Sequence, residues 1–222
     1  PLTCILGCRL LACCSAAAAV LLRLLLPSLR AERPSTIFYK PFETWAANSE
    51  WTAYLAKHEE AEALAVGDGW CAVATNKQFV RIFTHTNIQR FIFRCVLLRL
   101  KLAACDHGLM AAALGVPRAR SLSGPVVTMV GHESQLAIVF HAGMPLPGQQ
   151  NLGIIVMDVG NRKTLFEGPL PLSVSATLRW IGFGENGRVA TMDSAGVVRA
   201  LSRMWAMRWA PVLGTAAAAK TK

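Results

Sequence analysis

The sequence predicts an all-β fold, a partial β-propeller of about three four-stranded blades, with a hydrophobic N-terminal segment and a helical insertion. Three observations carry this expectation. From Phe42 onward, short apolar runs alternate with turns rich in Gly, Asp, Asn and Pro. The runs fall into sets of four that return at roughly 35–50 residues, the period of propeller blades. The innermost strands of these sets are nearly all apolar, as expected where neighbouring blades cover both faces.

The elements follow in order. Glu50–Leu55 is a strand left over from a preceding blade. Ala63–Val66 runs into the turn Gly67-Asp68-Gly69, then Trp70–Thr75, Phe79–Phe83 and Ile88–Phe93 complete a first set. Val126–Val130, Leu136–Phe140, Leu152–Val159 and Thr164–Phe166 form a second. Leu178–Phe183, Arg188–Met192, Val197–Leu201 and Trp209–Leu213 form a third. The domain reading is therefore residues 1–41 as a hydrophobic leader and residues 42–93 as a first blade with its leading strand. Residues 94–120 are an insertion, residues 121–213 two further blades, and residues 214–222 a tail.

Composition bounds the class. The chain has 222 residues, 53% of them hydrophobic and 16% charged, with a mean hydropathy of +0.38. That excludes a disordered chain, a collagen and a coiled coil. It starts at Pro1 rather than Met, which points to a processed chain or a fragment. The net charge of +10 concentrates in two segments. Residues 1–36 set Arg9, Arg23, Arg30 and Arg33 against Glu32. Residues 94–120 set Arg94, Arg99, Lys101, Arg118 and Arg120 against Asp106. All cysteines but Cys71 lie in these same segments, which fits a reduced compartment better than a disulfide scaffold.

Leu10–Leu22 has the length of a signal-peptide apolar core, but Arg23 interrupts it and no Asn-x-Ser/Thr sequon follows downstream. Val96–Leu102 and Leu109–Leu114 read as helix, rich in Leu, Ala and Arg. Both segments are candidates for non-native origin. Deleting residues 94–120 is accordingly expected to cost less than about 2 kcal/mol in thermal unfolding, and a larger loss would make them packed structure.

No catalytic, cofactor-binding or metal-binding residue is assigned. Gly182-Phe183-Gly184-Glu185-Asn186-Gly187 is formally G-x-G-x-x-G, but the strand-like Arg188–Met192 follows where a helix is needed. His132-Glu133 lacks a second His at helical spacing, and His132 and His141 read as turn residues flanking a strand. Cys71 reads as a small buried hydrophobe, and Trp45, Trp51, Trp70, Trp180 and Trp209 as packing residues. Asp193-Ser194-Ala195-Gly196 is a tight turn. Arg199, Arg203, Arg208, Lys220 and Lys222 make a basic, solvated end.

These motifs, taken in order, carry a resemblance. Trp45, Glu50-Trp51-Thr52, the run Leu64–Thr75, Val80–Phe83 and Gln89-Arg90 resemble the second propeller of the WD-repeat and HMG-box DNA-binding protein family. The likeness resumes at Ser121–Val127 and passes through Gln150–Gly153 and Gly168–Ser173 to Trp180–Phe183, Asp193–Arg199, Trp209 and Pro211. It covers about residues 42–93 and 121–213. The family is also called acidic nucleoplasmic DNA-binding protein, or the chromosome-transmission-fidelity replisome adaptor. The resemblance implies a nuclear, non-enzymatic scaffold of DNA replication with no cofactor and no small-molecule substrate. Its implied partners are replicative helicase components and DNA polymerase alpha, with a homotrimer in full-length members. Chromatin contact would lie mostly in regions outside this chain, and peptide docking would lie on a helical bundle. The alternative is a secreted or membrane-anchored propeller module delivered by residues 1–36.

Overall fold

The computed structural model describes residues 10–14, 18–23, 35–41, 50–94, 124–144, 148, 150–202 and 207–214. It contains sixteen strands in four antiparallel four-stranded sheets. The first holds β1 (Leu10–Cys14), β2 (Ala18–Arg23), β3 (Thr36–Pro41) and β4 (Trp51–Tyr54). The second holds β5 (Ala61–Gly67), β6 (Trp70–Thr75), β7 (Phe79–Thr84) and β8 (Gln89–Arg94). The third holds β9 (Val126–His132), β10 (Gln135–His141), β11 (Leu152–Asp158) and β12 (Lys163–Pro169). The fourth holds β13 (Leu178–Phe183), β14 (Val189–Asp193), β15 (Val197–Ser202) and β16 (Arg208–Gly214).

Each sheet is a simple meander, and consecutive sheets pack through their first strands. β1 and β2 lie against β5, β5 against β9, and β9 against β13. This is the arrangement of propeller blades, with the first strand of each blade innermost. No packing of comparable extent joins the fourth sheet to the first, so the described ring is open.

Three of the four sheets are the expected sets, with strand bounds within two or three residues. The remaining sheet is an addition. Its strands β1, β2 and β3 fall within residues 1–41, which the sequence reading assigned to a leader, and β4 is the expected leftover strand. The expected helical insertion finds no support. Arg94 closes β8 as strand, the described residues contain no helix, and Val96–Leu102 and Leu109–Leu114 lie outside them. Accordingly, no helix among the described residues is long and apolar enough to cross a membrane.

Three apolar cores fill the spaces between sheets, and strand alternation feeds them. In β6, Cys71 and Val73 face the first sheet with Ile37, Tyr39 and Leu64, while Trp70, Ala72 and Ala74 face the third with Leu136, Ile138 and Met157. In β10, Leu136, Ile138 and Phe140 face the second sheet, and Ala137 and Val139 join Phe183, Val189 and Leu201 of the fourth. That two-sided cover explains why β6 is buried at every position. β14 instead alternates buried and half-buried, because only one of its faces has a neighbouring sheet.

Candidate interaction surface

The contact between the second and third sheets is a backbone lock. The Asp68 N–H and the Trp70 Nε1–H both donate to the Glu133 carbonyl, at 2.9 and 2.7 Å. The two strands approach so closely that a Cβ at Gly131 would strike the Val66 carbonyl, so only glycine fits there. Trp70 also lies over Gly67, its register partner, and covers the surface a side chain would otherwise fill.

Two buried carboxylates pin the loops at the opposite end of the strands. Glu59 is nearly inaccessible and receives a two-pronged bond from Arg81 of β7, with both N···O distances 2.8 Å. Burial acts to raise the Glu59 pKa, but the hydrogen bonds and positive charge of Arg81 oppose it, and the group is held below its ordinary range. Asp193 is more heavily engaged. Oδ1 accepts from the Ala195 and Val197 N–H groups, both at 3.0 Å. Oδ2 accepts from the Ser173 N–H at 3.0 Å, the Ser173 hydroxyl at 2.7 Å and Arg199 Nη1 at 2.6 Å. Burial again opposes ionisation, and the bonds from Ser173, Arg199 and Val197 hold the Asp193 carboxyl far below the usual carboxylate range. Arg81 and Arg199 each occupy the third position of the third strand of their sheet. These ion pairs fasten blade connections.

The residues singled out in the sequence do not converge. Gly182–Gly187 spans the end of β13 and its turn into β14, closed by Gly184 N–H to the Arg188 carbonyl, with Gly187 at φ +62°. No helix opens there, so no N-terminus meets a pyrophosphate. His132 and His141 end β9 and β10 as strand residues rather than turn residues. His132 stacks on Phe183 of the next sheet, with ring centroids 5.4 Å apart. Among the described residues no group of His, Cys, Asp or Glu is placed to hold a metal ion. Cys71 is fully buried.

Trp51 stacks on Tyr39 and donates from Nε1 to the His85 carbonyl, Trp70 is buried, and Trp209 packs edge-on to Phe166. Trp45, Arg203, Lys220 and Lys222 lie outside the described residues. Two features escaped the sequence reading. One is the set of arginine–carboxylate pins: Glu59 lies twenty-two residues from Arg81, and Asp193, which the sequence analysis read only as part of a tight turn, pairs with Arg199 and with Ser173 twenty residues before it. The other is the cross-strand row Trp180, Met192, Val198 and Leu213, which register brings onto one face of the fourth sheet. Ile181, Phe183, Val189, Leu201 and Trp209 point the other way, into the core with the third sheet. The open face is an apolar shelf, with Leu213 52% exposed at its edge.

Comparison with known proteins agrees with this architecture. The family described as "Minichromosome loss protein, Mcl1, middle region" matches residues 7–115 and 113–222, which together include most of the leader and all of the insertion. The human protein named "WD repeat and HMG-box DNA-binding protein 1" is 35% identical over 78% of this chain, and the Xenopus laevis protein of that name is 33% identical over 78%. "Protein ENHANCER OF LHP1 1" of Arabidopsis thaliana is 32% identical over 82%. The chain spans only 13%, 13% and 16% of these relatives' lengths. Among solved structures, "Crystal structure of HIRA(644-1017)" superposes with a TM-score of 0.56 at 14% identity, covering 97% of this chain and 59% of that one. "Crystal structure of Kluyvelomyces marxianus Hsv2" gives 0.51 at 11% identity, covering 90% and 58%. Both speak to the fold alone, a partial β-propeller.

Proposed function

The chain belongs to the Mcl1 middle-region family, and from that premise we propose that it is the propeller segment of a nuclear, chromatin-associated, non-enzymatic scaffold of DNA replication. The scaffold links the replicative helicase to DNA polymerase alpha. The observation that carries this reading is the 35% identity to a human protein whose name includes WD repeats, an HMG box and DNA binding. The engaged state of Glu59 and Asp193 supports it. Their bonds leave them as structural pins, without a free acid or base beside a cavity.

Proximity labelling from the longer protein in replicating nuclei tests the linking role. Helicase subunits and polymerase alpha are the expected neighbours, and their absence overturns it. The 222-residue chain alone is expected not to bind helicase or polymerase tether peptides, because the resemblance places that docking on a helical bundle beyond these sheets. Titration of a labelled peptide checks this, and binding at micromolar affinity or better puts the docking site on the propeller instead.

A further inference from the structure

We propose that the bulged starts of β5, β9 and β13 form a peptide-docking mouth on the axis side of the open ring. There Glu62, Val127 and Arg179 take a cationic, an apolar and an anionic side chain of one bound peptide. The inference goes beyond the scaffold reading above and does not depend on its tether peptides.

The same irregularity recurs in three consecutive inner strands. In β5 the register runs from Ala61↔Thr75 to Ala63↔Ala74, so Glu62 is the extra residue of a bulge. In β9 it runs from Val126↔Phe140 to Thr128↔Val139, which leaves Val127. In β13 it runs from Leu178↔Asp193 to Trp180↔Met192, which leaves Arg179. Each is the second residue of its strand, and each is the one exposed residue there. The cores show the slip. Ala61 and Leu64 face the first sheet, while Ala63 and Ala65 face the third. Val126 and Met129 share one core, and Leu178 and Ile181 share another. The alternation breaks at each bulge, and the extra side chain joins no core. A bulge re-aims a side chain in this way, and bulges are common beside binding sites.

The three side chains sit at matching heights on neighbouring strands. The close approach of Gly131 to the Val66 carbonyl lies four residues beyond Glu62 and four beyond Val127. The His132–Phe183 stack lies five residues beyond Val127 and four beyond Arg179. The strand starts are also held. Arg81 pins Glu59 just before β5, and the His141 N–H donates to the Pro125 carbonyl just before β9, at 3.0 Å. At β13 the Leu178 N–H donates to Gln150 Oε1 at 2.9 Å and the Thr177 N–H to Ser194 Oγ at 3.0 Å. A mouth fixed in advance loses little to ordering on binding.

Charge selects the occupant. Partial burial and the nearby Glu60 carboxylate both push the Glu62 pKa upward, so an arriving cation relieves a cost already present. Arg179 presents the opposite charge two sheets away, and the exposed Val127 lies on the strand between them. A phosphodiester is repelled at Glu60 and Glu62, and a purely basic segment at Arg179. A peptide with both charges around an apolar residue suits all three positions.

The test uses the full chain and fluorescent peptides in which one Lys and one Glu flank a central photo-leucine at graded separations. Anisotropy is expected to find a bound member of the set. Ultraviolet cross-linking reads the site whatever the association state, and is expected to mark residues 61–63, 126–128 and 178–180. Glu62→Lys is expected to weaken that peptide at least about tenfold and to bind a matched peptide with Glu on both sides more tightly than wild type does. Arg179→Glu is expected to show the same loss and to gain the peptide with Lys on both sides. These gains separate altered specificity from damaged folding. Glu185→Lys makes an equal charge change in the turn at the other end of β13, and is expected to stay within about twofold of wild type. The proposal is overturned if wild type binds no peptide of the set, if cross-links fall elsewhere, or if the losses come without the matching gains. An equal loss in Glu185→Lys, or displacement of the bound peptide by a short DNA duplex, overturns it too. The nuclear proximity experiment reports on the scaffold reading independently.

Discussion

Purified alone, the 222-residue chain is expected to sediment as self-associated species rather than as a compact monomer. The cause is the open face of the fourth sheet. A propeller blade is stable when both its faces are covered, as β6 is, with every residue buried between the first and third sheets. β14 has cover on one side only, and Ala190 and Met192 are left half-buried. Trp180, Met192, Val198 and Leu213 line up across all four strands of that sheet. Each large apolar side chain left in water forgoes roughly 1.5–3 kcal/mol of burial. Leu213 is exposed and Trp180, Met192 and Val198 are half-buried, so each forgoes part of that gain, together a sizeable share of the ~5–15 kcal/mol margin of an ordinary domain. A contiguous apolar shelf of this kind recruits another surface.

Two variants separate this cause from general misfolding. Met192→Glu with Val198→Glu places charge on the open shelf and is expected to shift sedimentation toward monomer with strands retained by circular dichroism. Val139→Glu places charge in the closed core between the third and fourth sheets and is expected to unfold the chain. A wild-type chain that sediments as a compact monomer with a cooperative melt would falsify the open-ring account. It would mean the four sheets close on themselves or the shelf is covered from within the chain.

Much of the blade architecture was legible because its punctuation is local. Gly67-Asp68-Gly69 and Asn186-Gly187 supply the left-handed positions that hairpins need, and Gly69 and Gly187 sit at φ +70° and +62°. The apolar runs between them had the lengths of strands, and the doubly covered ones read as continuous. The first sheet was opaque for a physical reason. Leu10–Cys14 and Ala18–Arg23 are built from Leu, Ala, Cys and Arg with a single Val, most of them good helix formers, with no Gly, Asn or Pro between them. Their strand state depends on pairing with β3, where Val20 sits opposite Tyr39 and Leu22 opposite Ile37. Such a tertiary preference leaves no period in the segment itself. The Glu59 pin was invisible for a related reason. Arg81 and Glu59 are twenty-two residues apart, and only the sheet brings them together. The open shelf also needed the structure, because it is defined by which neighbour is missing from one face.

Replacing Asp193 is expected to be the most damaging polar substitution among the described residues. This carboxylate closes the β14–β15 turn through the Ala195 and Val197 N–H groups and holds the preceding connection through Ser173. It also neutralises Arg199, whose side chain is only 17% exposed. Asp193→Ala leaves a largely buried guanidinium and three backbone donors without their acceptor, a loss on the order of 3–5 kcal/mol. Hydrogen exchange reads this locally and tolerates self-association. The Ser173, Ala195 and Val197 amides are expected to exchange at least about a hundredfold faster, since each 1.4 kcal/mol is a factor of about ten.

Acid supplies an independent check with a definite sign. The folded-state pKa of Asp193 is depressed below that of the unfolded chain, near 3.9. The unfolded state therefore binds the proton more readily, and the stabilisation is complete above about pH 5. It is lost as pH falls through the unfolded value toward the folded one. Asp193→Asn keeps the shape but carries no charge at any pH. Protection of the three amides in wild type and Asp193→Asn is expected to differ most above about pH 5 and to converge as pH falls toward 2. A difference that stays constant across that range would show that the shape of the Asp193 side chain, and not its charge, holds the turn.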